Sequence, residues 1–401
     1  MKFSSATIGD VASVQTGPFG SQLHKEDYVI SGTPIVTVEH LGQRKMTRLN
    51  LPCVSDADKR RLSKYTLEYG DLVFSRVGSV DRCSWVGKEE TGWMFSGRCL
   101  RVRPNDPMEI YHKYLYYFFN LETTKNYVRN IAVGATMPSI NTRLLSEVPI
   151  TFPDIAKQQQ IGDMLSTLDD RIEVNLKINH HLEQMAQAIF KSWFIDFEPF
   201  GGEMPEDWCT GSLLDIANYL NGLAMQRFRP ANGEVGLLVL KIKELRQGSF
   251  DSASELCSPN IRPDYIVHDG DVVFSWSGSL LVDFWCGGDC GLNQHLFKVT
   301  SQKYEKWFYY VWTCHHLAQF IAMAADKATT MGHIKREALE NAEVLIPSEK
   351  DYATIGELLS PLYERIIGNR VENRKLALLR DTLLPCLMSG ELSVADLGSG
   401  K

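Results

Sequence analysis

The chain has 401 residues, of which 44% are hydrophobic and 23% are charged, and its formal net charge is −7. This length predicts two or three domains, and the composition is typical of globular proteins and excludes a largely disordered chain. No apolar run approaches the ~20 residues of a membrane-spanning helix, and residues 1–14 lack the apolar core of a signal peptide. We therefore expect a cytoplasmic protein whose nine scattered cysteines are reduced.

The charge is distributed unevenly along the chain. Residues 1–153 contain 19 basic and 15 acidic side chains, a net charge of +4, whereas residues 198–347 contain 12 and 19, a net charge of −7. By itself, a basic run is more often solvated surface than a site for a polyanion. The run in the first part comprises Arg44, Lys45, Arg48, Lys59, Arg60, Arg61 and Lys64.

Residues 1–153 have the pattern of an α+β domain. Residues 34–38 and 71–74 are predicted strands, and the glycine-containing segments 17–20 and 78–81 are predicted turns. Residues 109–129 are a predicted helix, whose aromatic side chains are expected to pack in the core rather than stack on bases, because they recur at helical spacing. These are Tyr111, Tyr114, Tyr116, Tyr117, Phe118 and Phe119.

A long helix is predicted next, with Asp154 as its N-cap and an end at residues 197–202. Its seam positions alternate steps of four and three, a heptad stripe that requires a partner helix. The stripe comprises Ile161, Leu165, Leu168, Ile172, Asn175, Asn179, Leu182, Ala186, Ile189 and Trp193.

The partner helix is predicted in the same chain, because the sequence is an internal duplicate. Residues 65–75 match 265–275, and a second long helix follows the N-cap Ser348 and ends at residues 389–390. Adding 194 to each position of the first stripe gives Ile355, Leu359, Leu362, Ile366, Asn369, Asn373, Leu376, Arg380, Leu383 and Leu387.

Because each helix follows a globular domain, we expect the two helices to pack antiparallel, with one domain at each end. In that pairing Asn175 faces Asn373 and Asn179 faces Asn369. A buried asparagine penalises slipped registers, so we hypothesise that these four residues fix the register. The alternative is that the helices separate here and water solvates the asparagines.

Motifs of the common nucleotide-binding, methyltransferase, nuclease and hydrolase sites are missing from the sequence. Cys286, Cys290 and His295, with Cys314 or His315, match no standard zinc spacing, so no metal site is expected. What remains is a pair of similar domains whose matched loops carry different polar groups, which suits two targets on one elongated ligand. Duplex DNA is the obvious ligand of this kind.

The sequence resembles the specificity subunit of type I restriction–modification systems. Residues 158–173 and 188–194 resemble the central conserved region of that family, and residues 383–391 resemble its C-terminal conserved region. The pairs Gly70-Asp71 and Gly270-Asp271, each followed by Phe-Ser, resemble motifs of its target recognition domains. The resemblance covers essentially the whole chain.

The resemblance implies an α+β fold with two tandem pseudo-symmetric target recognition domains separated by a long antiparallel two-helix coiled coil. The implied parts are domain 1 (residues 1–153), the first conserved helix (154–197), domain 2 (198–347), the second conserved helix (348–393) and a tail (394–401). It further implies a non-catalytic subunit that reads a bipartite target in double-stranded DNA, with the coil setting the unread gap. Its partners would be two adenine-N6 methyltransferase (M) subunits and, where they exist, two restriction (R) subunits. S-adenosylmethionine, ATP and Mg are expected on those partners and no cofactor on this chain.

Candidate DNA-contacting residues follow from the variable loops of both domains. A structural role is an equal alternative for each of them, since most protein–DNA contacts do not read bases. In domain 1 the candidates are Arg44, Lys45, Ser75, Arg76, Ser79, Thr136, Ser139, Asn141 and Arg143. In domain 2 they are Gln226, Arg227, Trp276, Ser279, Thr330, His333 and Lys335.

Two other functions compete with DNA reading. The first is a dumbbell-shaped scaffold that binds protein partners and no DNA, which the acidic domain 2 favours. The second is a self-contained nuclease, which is the weaker alternative because the sequence shows no metal-binding carboxylate pattern.

Overall fold

The computed structural model describes residues 2–42, 44–326 and 334–395. Unit 1 comprises the described parts of Met1–Asp170 and Ala377–Lys401, and unit 2 comprises those of Arg171–Leu376. Each long helix contributes to both units. The unit boundaries therefore fall within the helices.

Unit 1 contains domain 1. Its strands are β1 (Ser4–Thr7), β2 (Ala12–Thr16), β3 (Thr33–Val36), β4 (Cys53–Val54), β5 (Leu72–Ser75), β6 (Cys83–Trp85), β7 (Met94–Phe95), β8 (Cys99–Pro104) and β9 (Pro149–Phe152). Its helices before the first long helix are α1 (Ile8–Val11), α2 (Asp56–Arg61), α3 (His112–Asn120), α4 (Glu122–Ile131) and α5 (Thr142–Ser146). The strands form three sheets, with the orders β2-β8-β5-β6, β4-β3-β7 and β1-β9.

The predicted strands are confirmed as β3 and β5, whereas the single predicted helix over 109–129 is wrong. It is divided into α3 and α4 because Leu121, with φ −58° and ψ 133°, leaves the helical region. The expected aromatic core is confirmed. Tyr114, Tyr117 and Phe119 are buried together with sheet residues, and the ring of Phe119 meets that of Phe74 edge-on at 4.6 Å.

The first long helix, α6 (Ile155–Phe190), runs from unit 1 into unit 2 and continues as a π-helical turn, Lys191–Ile195. Its predicted N-cap is confirmed, since Asp154 Oδ1 accepts the N–H of Lys157 at 3.1 Å. The predicted end is confirmed as well. Phe197 has a left-handed φ of +50°, which the helix cannot continue through.

Unit 2 contains domain 2. Its strands are β10 (Cys209–Ser212), β11 (Asn218–Asn221), β12 (Leu237–Leu240), β13 (Leu256–Cys257), β14 (Ile266–Val267), β15 (Val272–Ser275), β16 (Leu281–Phe284), β17 (Cys290–Leu292), β18 (Leu296–Thr300) and β19 (Glu343–Ile346). Its helices are α7 (Leu213–Ile216), α8 (Ile242–Gln247), α9 (Lys306–Asp326) and α10 (Arg336–Glu340). The sheet orders β11-β18-β15-β16 and β10-β19 repeat those of unit 1, which confirms the predicted duplication.

The second long helix, α11 (Glu349–Ser389), packs antiparallel to α6 within each unit, as predicted. In unit 1, Ile161 and Leu165 from the start of α6 share a core with Leu387 from the end of α11. In unit 2, Ala186 from the end of α6 shares a core with Ile355 from the start of α11. In both units these seam residues are therefore buried in a core that the helices share with the neighbouring domain.

The two Gly-Asp motifs have the same structural role. The carboxylate of Asp71 accepts the N–H three positions before it at 2.7 Å and pairs with Arg103 of β8 at 2.6 Å. Asp271 accepts the equivalent N–H at 2.8 Å and pairs with Lys298 of β18 at 2.8 Å. The motif thus closes the turn that leads into β5 or β15 and joins it to the neighbouring strand.

Candidate nucleic-acid interface

Two predicted loops of domain 1 meet in unit 1. The N–H of Gly78 donates to the carbonyl of Pro138 at 2.8 Å, and the N–H of Ile140 donates to the carbonyl of Arg76 at 2.9 Å. These bonds hold the loop after β5 against the loop between α4 and α5. The exposed residues at the ends of the two loops include Ser79, Thr136 and Met137.

Two further segments complete this surface: residues 17–20, which follow β2, and residues 96–98, which connect β7 to β8. The backbones of Gly17 and Ser96 approach so closely that a Cβ on Gly17 would lie 2.2 Å from the Ser96 carbonyl oxygen. Arg76 Nη1 donates to the carbonyl of Gly97 at 3.0 Å, and its guanidinium lies 5.7 Å from the ring centre of Phe19. We define the domain 1 surface by the solvent-reaching residues of these segments: Phe19, Arg76, Ser79, Arg98, Thr136 and Met137.

Three of the predicted domain 1 contacts have structural roles. Ser75 is buried and its hydroxyl donates to the carbonyl of Val77 at 2.8 Å, which is the structural alternative that the sequence left open. Asn141 caps α5, where its side chain accepts the N–H of Leu144 at 2.9 Å. The hydroxyl of Ser139 donates to a carbonyl of its own loop at 3.1 Å.

Arg44 also has a structural role, the alternative that the sequence left open for it. Its guanidinium pairs with Asp170 at 2.7 Å, donates to the hydroxyl of Ser166 at 3.0 Å and lies 5.1 Å from the ring centre of Trp85. Its side chain is only 12% exposed. Arg44 therefore attaches domain 1 to α6 within unit 1, and this network leaves little of its guanidinium for DNA.

The remaining predicted residues of domain 1 retain some contact with solvent. Arg143 is well exposed and pairs with Glu147, one turn along the chain, at 2.8 Å. Such a surface pair contributes little to stability, so a DNA phosphate can replace Glu147 as its partner. Lys45 is half-buried, and Ser79 and Thr136 are exposed.

Unit 2 repeats this arrangement with different side chains. The N–H of Ile334 donates to the carbonyl of Trp276 at 3.0 Å, the counterpart of the bond to Arg76 in unit 1. A Cβ on Gly222 would lie 2.2 Å from the carbonyl oxygen of Asn293, the counterpart of the close approach at Gly17. The backbone frame is thus conserved between the repeats, while an indole occupies the position of a guanidinium.

A second position differs in the same way. The strand pairing aligns Arg98, which precedes β8, with His295, which precedes β18. His295 Nδ1 lies 3.0 Å from the hydroxyl oxygen of Ser277, and its ring centre lies 6.1 Å from that of Trp276. Domain 1 therefore presents guanidinium groups where domain 2 presents aromatic rings.

Most other predicted residues of domain 2 lie at its surface. Gln226 and Arg227 are exposed on a 3-10 turn after β11. Ser279 is exposed in the loop after β15, and Lys335 is exposed at the start of α10. The domain 2 surface is defined by Gln226, Arg227, Trp276, Ser279, His295 and Lys335. The predicted residues Thr330 and His333 lie outside the described residues.

The residues predicted from the sequence did not include Phe19 and Arg98 of domain 1. His295 was considered only as a ligand of a metal site that was then rejected. Arg98 is exposed, and its side chain forms no hydrogen bond or ion pair with another residue of the described ranges. These positions could have been found by extending the alignment of the two repeats to residues 96–99 and 293–296, because that alignment pairs Arg98 with His295.

The four asparagines of the helix pair are placed as the sequence predicted. In unit 2, Asn175 Nδ2 donates to Asn373 Oδ1 at 2.9 Å, and Asn369 Nδ2 donates to Asn179 Oδ1 at 2.7 Å. Asn175, Asn179 and Asn369 are 0%, 5% and 1% exposed, which contradicts the alternative of a solvated opening. That these pairs fix the register stays a prediction.

Within the described ranges, no three His, Cys, Asp or Glu side chains are grouped to hold a metal ion. Cys286 is buried and its thiol lies 3.8 Å from the carbonyl oxygen of Phe284. Burial raises the pKa of Cys286 to about 11, and it raises the pKa of Cys290 further. Burial therefore favours the neutral thiol form of both side chains. None of the described helices combines the length and apolar character required to cross a membrane.

Comparison with known proteins gives a consistent result. The family model for the type I restriction modification DNA specificity domain matches residues 2–184 and 205–377. The MjaIX specificity subunit of Methanocaldococcus jannaschii is 30% identical over 71% of this chain and 70% of its own length. The HindI specificity subunit of Haemophilus influenzae is 20% identical over 82% of this chain and 88% of its own length. The crystal structure of the S subunit from M. genitalium shares the fold, with a TM-score of 0.64, 16% identity and 96% coverage of each chain. Because the family model matches nearly all of both repeats, the chain belongs to the type I restriction–modification specificity subunits.

Proposed function

We propose that this chain reads a bipartite DNA sequence, with the domain 1 surface reading one half-site and the domain 2 surface reading the other. The observation that carries the proposal is the duplicated loop frame with exchanged side chains. The same backbone contacts present Arg76 and Arg98 in one unit and Trp276 and His295 in the other. A frame that is kept while its exposed chemistry changes suits two different base sequences.

The antiparallel helix pair is proposed to set the unspecified gap between the half-sites. The paired asparagines support this role, because a helix pair that defines a distance needs one register. In unit 1 the ion pair of Arg44 with Asp170 and the hydrogen bond from the hydroxyl of Tyr117 to Asp169 attach domain 1 to α6. In unit 2 the pairs of Arg370 with Asp283 and of Arg374 with Asp269 attach domain 2 to α11.

We further propose that the chain is non-catalytic and directs partner subunits to the target. Two adenine-N6 methyltransferase (M) subunits, with bound S-adenosylmethionine, would modify the site. Where restriction (R) subunits exist, two of them, with ATP and Mg, would cleave unmodified DNA. The relatives support this division of labour, since both are named as specificity subunits of type I restriction enzymes.

The charge distribution bears on how tightly the isolated chain binds DNA. Domain 1 carries a net charge of +4 and domain 2 one of −7, from 12 basic and 19 acidic residues. Phosphate contacts supply most of the affinity for DNA. We therefore expect the isolated chain to bind DNA weakly and the methyltransferase partners to supply basic surface in the complex.

The acidic domain 2 also supports the second candidate function, a scaffold for two protein partners that does not bind DNA. Binding measurements with the methyltransferase present separate the two functions. Salt-sensitive, nanomolar-range binding of a specific duplex supports DNA reading. A stable protein complex that does not retain any duplex supports the scaffold.

The decisive experiment co-expresses this chain with its methyltransferase partner and maps N6-methyladenine in the host genome by long-read sequencing. A new split motif, with two short specified blocks around a fixed gap, is the expected result. A stable complex that adds no methylation contradicts the proposal.

A further inference from the structure

Arg98 occupies a distinctive place on the domain 1 surface. Its backbone is fixed, because its carbonyl accepts the N–H of Arg76 at 2.8 Å beyond the last residue pair of β5 and β8. Its side chain is exposed and finds no acidic partner among the residues that the structure describes. Arg98 therefore combines a rigid attachment point with an unpaired guanidinium.

The comparison of the repeats argues for a base contact rather than a phosphate contact. The phosphate backbone is the same in every DNA sequence, so a phosphate contact at this position would favour a cation in both repeats. Arg98 is instead matched by His295 on an equivalent backbone. A change of chemistry on an unchanged frame is expected where two domains read different bases.

The surroundings of Arg98 agree with this assignment. Phe19 and Met137 on the same surface are 56% and 59% exposed. Apolar side chains of this kind contact base edges and thymine methyl groups, whereas phosphates are bound by donors and cations. The domain 1 surface is thus suited to the interior of a DNA groove.

On the basis of the function proposed above, we infer that Arg98 reads a guanine in the half-site of domain 1. In the major groove guanine presents two acceptors, O6 and N7, which match the two parallel N–H groups of a guanidinium. Arg76 is the positioning residue. Its guanidinium holds the Gly97 carbonyl at 3.0 Å and packs on Phe19, which fixes the loop that presents Arg98.

The test maps N6-methyladenine for the full-length chain, its Arg98→Ala variant and its Arg98→Gln variant, each co-expressed with the methyltransferase partner. In Arg98→Ala we expect discrimination at one G·C pair of one half-site to fall roughly 10- to 100-fold, with the other half-site unchanged. In Arg98→Gln we expect preference at that pair to move toward A·T, because glutamine pairs with adenine. This shift requires a folded, active complex and therefore separates base reading from loss of structure.

Two further variants complete the design. Arg76→Leu keeps an apolar contact for Phe19 but removes the donor to Gly97, so we expect it to relax the same base pair as Arg98→Ala. Arg60→Ala is the control, because Arg60 is exposed on α2, outside the domain 1 surface; its motif should equal that of the unaltered chain.

Several outcomes would overturn the inference. One is a uniform loss of methylation in Arg98→Ala with an unchanged motif, which indicates a phosphate contact. Others are a change in both half-sites, or a half-site for domain 1 that contains no G·C pair. If the unaltered chain produces no split motif, the proposed function itself fails, and this inference fails with it.

Discussion

Asp169 of α6 and Arg380 of α11 form an ion pair at 2.6 Å in unit 1, and the hydroxyl of Tyr117 donates to the same carboxylate at 2.6 Å. In the repeat, the corresponding positions of unit 2 are Tyr363 and Ala186, which are both buried in an apolar core. The two halves of the chain therefore use a charged network and an apolar contact at equivalent points of the helix pair.

We expect Arg380→Ala to lower the free energy of unfolding of unit 1 by about 2–4 kcal/mol, because it leaves the buried Asp169 carboxylate without its cation. Hydrogen exchange of the α3 and α6 amides, measured by mass spectrometry, reports this loss. The control is Arg171→Ala, because the pair of Arg171 with Glu372 is exposed by 46% and 39% and such pairs contribute at most about 1 kcal/mol. Equal effects of the two substitutions would contradict the prediction.

The Asn179–Asn369 pair should behave as a unit. Asn369→Leu leaves the buried Asn179 Oδ1 without its donor, and we expect it to lower the free energy of unfolding by about 1–3 kcal/mol. The double variant Asn179→Leu/Asn369→Leu should recover most of this loss, because both polar groups are then absent. Urea denaturation of the full chain measures the coupling, and additive effects would show that the two amides do not interact.

Replacement of all four seam asparagines by leucine tests the register hypothesis. An apolar seam without polar pairs permits slipped registers, so we expect methylated sites with a second gap length beside the original one. Genome-wide methylation mapping of the quadruple variant detects both. A single, unaltered gap would show that other contacts fix the register.

The length of the helix pair is predicted to control the gap. A seven-residue deletion around the α11 segment 375–379 would remove Arg374, which attaches α11 to domain 2, or Arg380, which pairs with Asp169 of α6. An insertion of one heptad after residue 376, matched by one after residue 171, keeps both. It lengthens each helix by ~10 Å, so we expect a gap about 3 base pairs longer with both half-sites unchanged. A methylation map with the original gap would contradict the prediction.

The attachment of domain 2 to α11 should weaken in acid. Burial opposes ionisation of Asp269, but hydrogen bonds from Arg374 and from the N–H of Gly288 outweigh it and lower the pKa of Asp269. A lowered folded-state pKa adds stability above the unfolded value of about 3.9, and this stability is lost as pH falls through the folded pKa. We therefore expect Asp269→Asn to destabilise unit 2 by about 1–2 kcal/mol at pH 7 and by progressively less below pH ~4.

Urea denaturation between pH 3 and pH 7 measures this trend. The control is Asp264→Asn, because the pair of Asp264 with Arg262 is exposed by 59% and 73% and should contribute little at any pH. A destabilisation by Asp269→Asn that does not change with pH would indicate a packing defect rather than the loss of a charged pair.

The sequence by itself determined the duplication, the long helices and the asparagine pairs. The heptad stripe and its copy 194 residues later specify two helices with matched polar positions, and antiparallel packing then leaves Asn175 opposite Asn373. The start of the first long helix could also be predicted from the sequence, because a cap such as Asp154 bonds the N–H groups of the next turn. These features are local or follow from internal symmetry, so no knowledge of distant contacts was needed.

Only the tertiary structure decided which polar loop residues remain available to DNA. Arg44 and Arg98 look alike in the sequence, but Arg44 is held by Asp170, more than 100 positions away, whereas Arg98 faces solvent. Ser75 and Ser79 differ in the same way, since one ends a buried strand and the other lies at the end of a loop. The physical reason is that burial and ion pairing depend on segments distant in the chain, which the pattern around a residue does not encode.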